Sequence, residues 1–130
     1  MLYADMINRG TETAKSVITT SQTPLMMRSK DSENELFKYL LSRADDVSAP
    51  RMDIAPGNEN KKKAEIELHT LTPPETAEFN QGSKVVYIGL VAAYSDARGN
   101  RYYGEECVFW TPSSRTFLYC NGHNQTVTQP

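Results

Sequence analysis

The run Val85-Val86-Tyr87-Ile88-Gly89-Leu90-Val91-Ala92-Ala93-Tyr94 carries no charged side chain and is apolar at odd and even positions alike. Successive side chains of a strand point to opposite faces, so a strand built from this run has to be covered above and below. It is expected to be the centre of a mostly β core.

Two further strands are expected to follow it as a meander. Ser95 to Asn100 places Asp96 near its start and Gly99 where a positive φ is wanted, so it reverses the chain into a strand from Arg101 to Trp110. Thr111 to Arg115 reverses it again into a strand from Thr116 to Cys120. If Pro112 to Arg115 form a four-residue loop, Thr111 opposes Thr116. Trp110 then faces Phe117, and Cys107 faces Cys120. Directly opposed residues of an antiparallel pair have Cβ atoms about 4.5 to 5.5 Å apart, so the two cysteines are expected to be adjacent and able to bridge.

Upstream of the central run, Leu2 to Ile7 reads as a strand, Asn8-Arg9-Gly10 as a turn and Ala14 to Thr20 as a second, β-branched strand, giving a hairpin. With a strand beginning at residue 2 and no leader before it, the chain reads as a fragment or as one that has lost its upstream part. Ser32 and Glu35 have the spacing of a capping box that opens a helix running to about Arg43. Leu36, Tyr39 and Leu40, widened by Phe37, Leu41 and Ala44, give that helix an apolar stripe to lay on a sheet. Residues 45–63 contain Pro50 and Pro56-Gly57 and little apolar material, which describes a long exposed loop. Lys61-Lys62-Lys63 at its end reads as a solvated run or an edge-strand guard rather than a phosphate clamp. Ala64 to His69 alternates as a half-buried strand, ended by Thr72-Pro73-Pro74, and Glu75 to Asn80 allows one helical turn. From Asn121 onward the chain reads as a polar tail.

A chain of 130 residues is the size of one domain and buries enough surface to fold without a metal or staple. Its formal net charge of -2 gives no long-range field to gather nucleic acid or an anionic membrane. No stretch approaches the roughly 18 to 20 apolar residues that span a bilayer, so the chain reads as soluble, with no membrane insertion of its own.

Asn8-Arg9-Gly10-Thr11-Glu12-Thr13-Ala14-Lys15-Ser16-Val17 resembles the "N-x-G-x-T-x-A-x-x-V" strand-turn-strand of a family of bacterial membrane-tethered proteins with a C-terminal immunoglobulin-like β-sandwich domain. Tyr87-Ile88-Gly89 through Tyr94-Ser95-Asp96, then Gly99, Cys107, Cys120, His123 and Asn124, is similar to that family's C-terminal meander. The resemblance implies a mainly β fold, an immunoglobulin-like β-sandwich with one helix inserted after the first hairpin. It also implies the soluble domain of an inner-membrane-tethered protein, with the cysteines oxidised if it faces the periplasm and reduced if it faces the cytoplasm. It carries no activity to transfer.

The residues themselves point away from catalysis. Cys107 and Cys120 could form a disulfide, a redox pair or half of a metal site, but a tetrahedral zinc would have to recruit His123 and His69 from separate segments. No metal or other cofactor is therefore expected. Neither histidine belongs to a recognisable nucleophile and base, and Glu105-Glu106 point to opposite faces of a strand and cannot share one substrate bond. Asn124-Gln125-Thr126 satisfies the glycosylation sequon, a motif short enough to recur by chance. Aromatic residues gather in the last two strands: Tyr103 and Phe109 share a face with Cys107, while Tyr102 and Trp110 share the other. Core packing is their ordinary role, and exposure of Tyr102 and Trp110 beside a groove would instead mark a small-ligand or carbohydrate site. The expected function is a non-enzymatic interaction domain whose partner is another protein.

Overall fold

In the computed structural model, which describes residues 2–46 and 48–128, strand outweighs helix and the strands form two sheets. The apolar run becomes β6, Val85–Ser95, and it is central as expected. It pairs antiparallel on one side with β2, Ala14–Gln22, and on the other with β7, Arg101–Trp110. Its odd-numbered side chains face helix α1, Lys30–Ser42, and its even-numbered ones face the opposite side of the sheet.

Under α1 lies the larger core. Leu36, Phe37, Leu40 and Ala44 come down onto Val85, Tyr87, Val91 and Ala93 of β6 and onto Tyr103, Cys107 and Phe109 of β7. The helix sits close because Gly89 lies beneath it: a Cβ built there would stand 2.9 Å from both Leu36 Cδ2 and Leu40 Cδ1. A glycine inside an otherwise bulky strand commonly marks such an approach.

The cap of α1 is Ser29, not Ser32. The Ser29 hydroxyl accepts the Ser32 N–H at 3.0 Å, and its own N–H is held by Tyr87 Oη at 3.2 Å. A serine three residues earlier can satisfy the same orphan donors, and the contact with β6 decides between the two. A second helix, α2, spans Pro73–Gln81 where a single turn was expected. Thr72 and Glu75 form its capping box, and Gly82 at φ +80° closes it. Proline in the first turn costs little, since those N–H groups lack partners anyway.

The expected N-terminal hairpin does not form. β1, Leu2–Met6, pairs with β5, Lys62–Ile66, as a separate two-stranded ribbon, while β2 joins the main sheet. The Asn8 turn exists, but it turns the chain from one sheet to the other. The carbonyl of Asn8 accepts the Gly57 N–H, and its side-chain amide donates to Ile54 O and Glu12 O. Residues 45–63 are accordingly more than a loop: they include β4, Met52–Ile54, on the edge of β2, a 3-10 turn at Asn58–Asn60 and the start of β5. The expected strand Ala64–His69 thus begins earlier and ends at Ile66; Lys62 and Lys63 are exposed along the ribbon, as an edge guard would be.

A bulge in β2, with Ser16 at φ +51°, shifts the register on β6 by one residue. β3, Leu25–Met26, then continues the β2 line against the start of β6. Of the expected last strand only β8, Leu118–Tyr119, is regular, but its register is the one read from the loop length: Val108 opposes Tyr119 and Phe109 opposes Leu118. Cys107 and Cys120 are joined in a disulfide with Cα atoms 5.5 Å apart. The expected tail returns to the sheet as β9, Thr126–Val127, paired with Gly104 and Tyr103. Gln129 and Pro130 of that tail, and Val47, lie outside the described residues. No helix among the described residues is long and apolar enough to cross a membrane.

Candidate functional site

The second face of the main sheet carries the ribbon, but only part of it is filled. Ala64 and Ile66 of β5 are buried here with Ile88 and Leu90 of β6. Beyond them Ala92 of β6 lies directly opposite Gly104 of β7, and Thr19 of β2 pairs with Ala92 on its other side. The small pair Ala92 and Gly104 leaves a trough, bounded by Leu90 and Glu106 on one side and by Tyr94 on the other. Residues 7–13 roof it, and the cleft so formed has a volume of about 540 Å³.

The roof is fixed at both ends. Asn8 Oδ1 accepts the Gly10 N–H at 2.9 Å while its amide holds Ile54 O, and Glu12 Oε2 accepts the Ala97 N–H across the cleft at 3.4 Å. The wall is equally braced: Tyr94 and Tyr102 stack at 5.6 Å, and the Tyr102 hydroxyl donates to Asp96 Oδ2 at 3.1 Å. That bond, and the negative charge behind it, push the Tyr102 phenol up. Hydrogen bonds from the Asn100 side chain, from backbone N–H groups and from Tyr102 hold the Asp96 carboxyl below its usual range against some desolvation. The cleft is preformed by groups that are already satisfied.

A second hollow of about 320 Å³ continues it toward the other end of β7, sharing Asp5, Leu90 and Glu106 with the first. At its mouth stand Tyr3, 57 % exposed, Phe117, 43 % exposed, and Tyr119, 70 % exposed. The two hollows make one groove with an apolar floor, aromatic rings at both ends and two carboxylates midway. Glu106 is exposed and makes no ion pair among the described residues, and Asp5 has only the distant Lys61 Nζ at 3.9 Å. The groove therefore favours a positive charge at its centre.

Tyr102 and Trp110 do share this face but do not form a row. They stand eight positions apart along one strand, roughly 26 Å. Each is half-buried against another ring, Tyr102 on Tyr94 and Trp110 edge-on to Phe117 at 5.2 Å. Between them come Gly104, Glu106 and Val108. Neither ring lines either hollow; on β7 the groove is lined by Gly104, Glu105, Glu106 and Val108. The available signal was the small pair Ala92 and Gly104, each interrupting a strand of larger residues.

The α1 face holds a separate polar cluster. Glu105 is buried and takes hydrogen bonds from Gln125 Nε2 at 3.2 Å, with His123 Nδ1 at 3.3 Å. The His123 ring lies flat on Phe37 at 4.4 Å, and its Nε2 meets Asn34 Oδ1 at 2.8 Å. Asn124 replaces a strand there: its Oδ1 accepts the Cys107 N–H and its Nδ2 donates to the Cys107 carbonyl. The sequon nitrogen thus has a structural partner, and the C-terminal segment is clasped between helix and sheet.

His69 lies elsewhere, paired with Glu75 at 3.2 Å. The zinc set that would need both histidines with the cysteines is not assembled. Among the described residues neither imidazole is hydrogen-bonded to a hydroxyl or thiol, and Glu105 and Glu106 lie on opposite faces as expected. Comparison with protein-family models, with curated proteins and with solved structures found no match to the chain.

Proposed function

We propose that the chain is a non-enzymatic interaction domain that takes an extended segment of another protein into the groove between the β1–β5 ribbon and the β6–β7 face. The observation that carries the reading is the junction of the two hollows, where Asp5 and Glu106 stand over an apolar floor of Leu90 and Ala92. Such a place suits a lysine or arginine, whose alkyl stem lies on the floor while its head meets the carboxylates. Tyr3, Phe117 and Tyr119 supply the amphipathic rings that protein-binding surfaces favour.

The face-to-face arrangement of ribbon and sheet supports the finer assignment to a β-sandwich of the immunoglobulin-like kind. The disulfide supports residence in an oxidising compartment, the periplasmic side of a membrane-tethered bacterial protein, since cytosolic thiols stay reduced.

Selection from a displayed peptide library tests the reading. Peptides enriched on the native chain should carry a basic residue beside an apolar one and should lose binding to Ala92→Phe, which fills the trough. Enriched peptides that bind Ala92→Phe equally well would refute it. Glycans retained by the native chain and lost on Trp110→Ala would put the carbohydrate reading in its place.

A further inference from the structure

The disulfide has a neighbour that neither the fold nor the groove requires. Glu33, in the first turn of α1, is only 7 % exposed, and a carboxylate oxygen of Glu33 and the two sulfurs of Cys107 and Cys120 all lie within 4.8 Å of one another. Among the described residues the Glu33 carboxylate has one hydrogen bond, from Tyr87 Oη at 3.2 Å, which leaves most of its acceptor capacity unused. A buried carboxylate so placed needs a cation or further donors to offset its desolvation.

We propose that two-electron reduction of the disulfide converts this cluster into a site for one zinc-type divalent ion, held by Cys107 Sγ, Cys120 Sγ and one Glu33 oxygen. A dithiol supplies the electrons: it closes to its own disulfide as the Cys107–Cys120 bond breaks to two thiols. The metal then displaces both thiol protons to solvent and forms two metal–sulfur bonds.

The backbone holds the two cysteines together without the covalent bond. The Cys120 N–H donates to Cys107 O at 3.1 Å, Asn124 clamps Cys107 from the same side, and the β7–β8 pairing follows at once. Metal–sulfur distances of about 2.3 Å and metal–oxygen distances of about 2.0 to 2.2 Å put tetrahedral ligand atoms roughly 3.5 to 3.8 Å apart. Disulfide-bonded sulfurs stand about 2.0 Å apart, so once reduced the two have to separate by roughly 1.7 Å through their own side-chain rotation, while the Glu33 oxygen, within 4.8 Å of both, swings in to the same distance. Thiolate donors select zinc, cobalt or cadmium over magnesium and calcium. Tyr87 acts as the outer partner that orients the carboxylate. Arg28, whose guanidinium lies 4.5 Å over the Phe109 ring, adds positive charge beside a site of net charge -1. Water takes the fourth position.

The test uses the full chain, reduced with a dithiol, desalted without oxygen and titrated with Co²⁺ alone. The reduced chain should take up one equivalent with near-ultraviolet sulfur-to-cobalt charge transfer and visible bands of tetrahedral cobalt, and the oxidised chain none. Glu33→Gln, which removes an anionic ligand, should weaken binding by at least the roughly 10-fold that loss of an outer-shell partner costs, Glu35→Gln on the exposed side of α1 should leave it unchanged, and Cys120→Ser should remove most of the charge transfer. Protease resistance of the reduced chain is followed in parallel. Equal binding by the oxidised chain, no binding by the reduced one, loss of its fold, or an affinity indifferent to Glu33→Gln would each overturn the proposal.

Discussion

Adding one methyl group at Gly89 should destabilise the protein through α1. The new Cβ would lie 2.9 Å from Leu36 Cδ2 and Leu40 Cδ1 and 3.2 Å from Leu36 Cγ, where carbon atoms in good contact stand about 3.5 to 4.0 Å apart. Both leucines are buried, so the helix has to rise or two side chains have to leave their rotamers. Overpacking of this kind costs about 1 to 3 kcal/mol. Replacing glycine by alanine recovers about 0.4 to 1 kcal/mol by restricting the unfolded chain. The net expectation for Gly89→Ala is a loss of about 1 to 2 kcal/mol, read as a lowered urea midpoint at unchanged slope with the disulfide intact. Leu36→Ala alone should cost about 2 to 5 kcal/mol as a cavity. In the double variant the new methyl occupies part of that cavity, so the combined loss should fall short of the sum by about 1 kcal/mol or more. A neutral Gly89→Ala, or strict additivity with Leu36→Ala, would refute the close approach of α1 to β6.

Asp45, just beyond α1, gives a pH signature. Burial pushes its carboxyl up, but hydrogen bonds from Tyr103 and Arg101 and the charges of Arg101 and Arg51 outweigh this and hold it below the usual carboxylate range. Its stabilising contribution is therefore present above about pH 4 and lost as pH falls through the depressed folded value, so the gap between native and Asp45→Asn stability should close below about pH 4. A gap that stayed constant to pH 2 would exclude that linkage. Asn124→Ala removes both bonds to the Cys107 peptide group and should cost about 1 to 3 kcal/mol, with faster hydrogen exchange at the Cys107 amide. Unchanged exchange there would mean that Asn124 does not close the β7 edge.

Short-range periodicity carried the central sheet. β6 follows from its apolar run, β7 from the turn set by Asp96 and Gly99, and β8 follows β7 in register because a short loop leaves few alternatives. The ribbon was not legible, because β1 and β5 are some 60 residues apart and no local signal can choose β5 over the nearer β2 as a partner for Leu2–Met6. Long-range pairing also accounts for β9, where Thr126 and Val127 have no period of their own and are ordered through β7, Gln125 and Asn124. Glu33 was visible in principle: it precedes Phe37 by four residues and so stands on the apolar stripe of α1, a place where a carboxylate needs a reason. The groove was legible only in part: the small residues Ala92 and Gly104 stand out in the sequence, but their pairing across strands and the roof from a third element do not.

Titration of the ¹⁵N-labelled chain with a peptide selected on it, followed by amide spectra, tests the groove most directly. Shifts should concentrate at Asp5, Leu90, Ala92, Gly104 and Glu106, and Glu106→Gln should weaken the peptide about two- to fivefold, the worth of one exposed ion pair. Shifts confined to the β4 edge or to α2, or binding indifferent to the peptide's basic residue, would contradict the account.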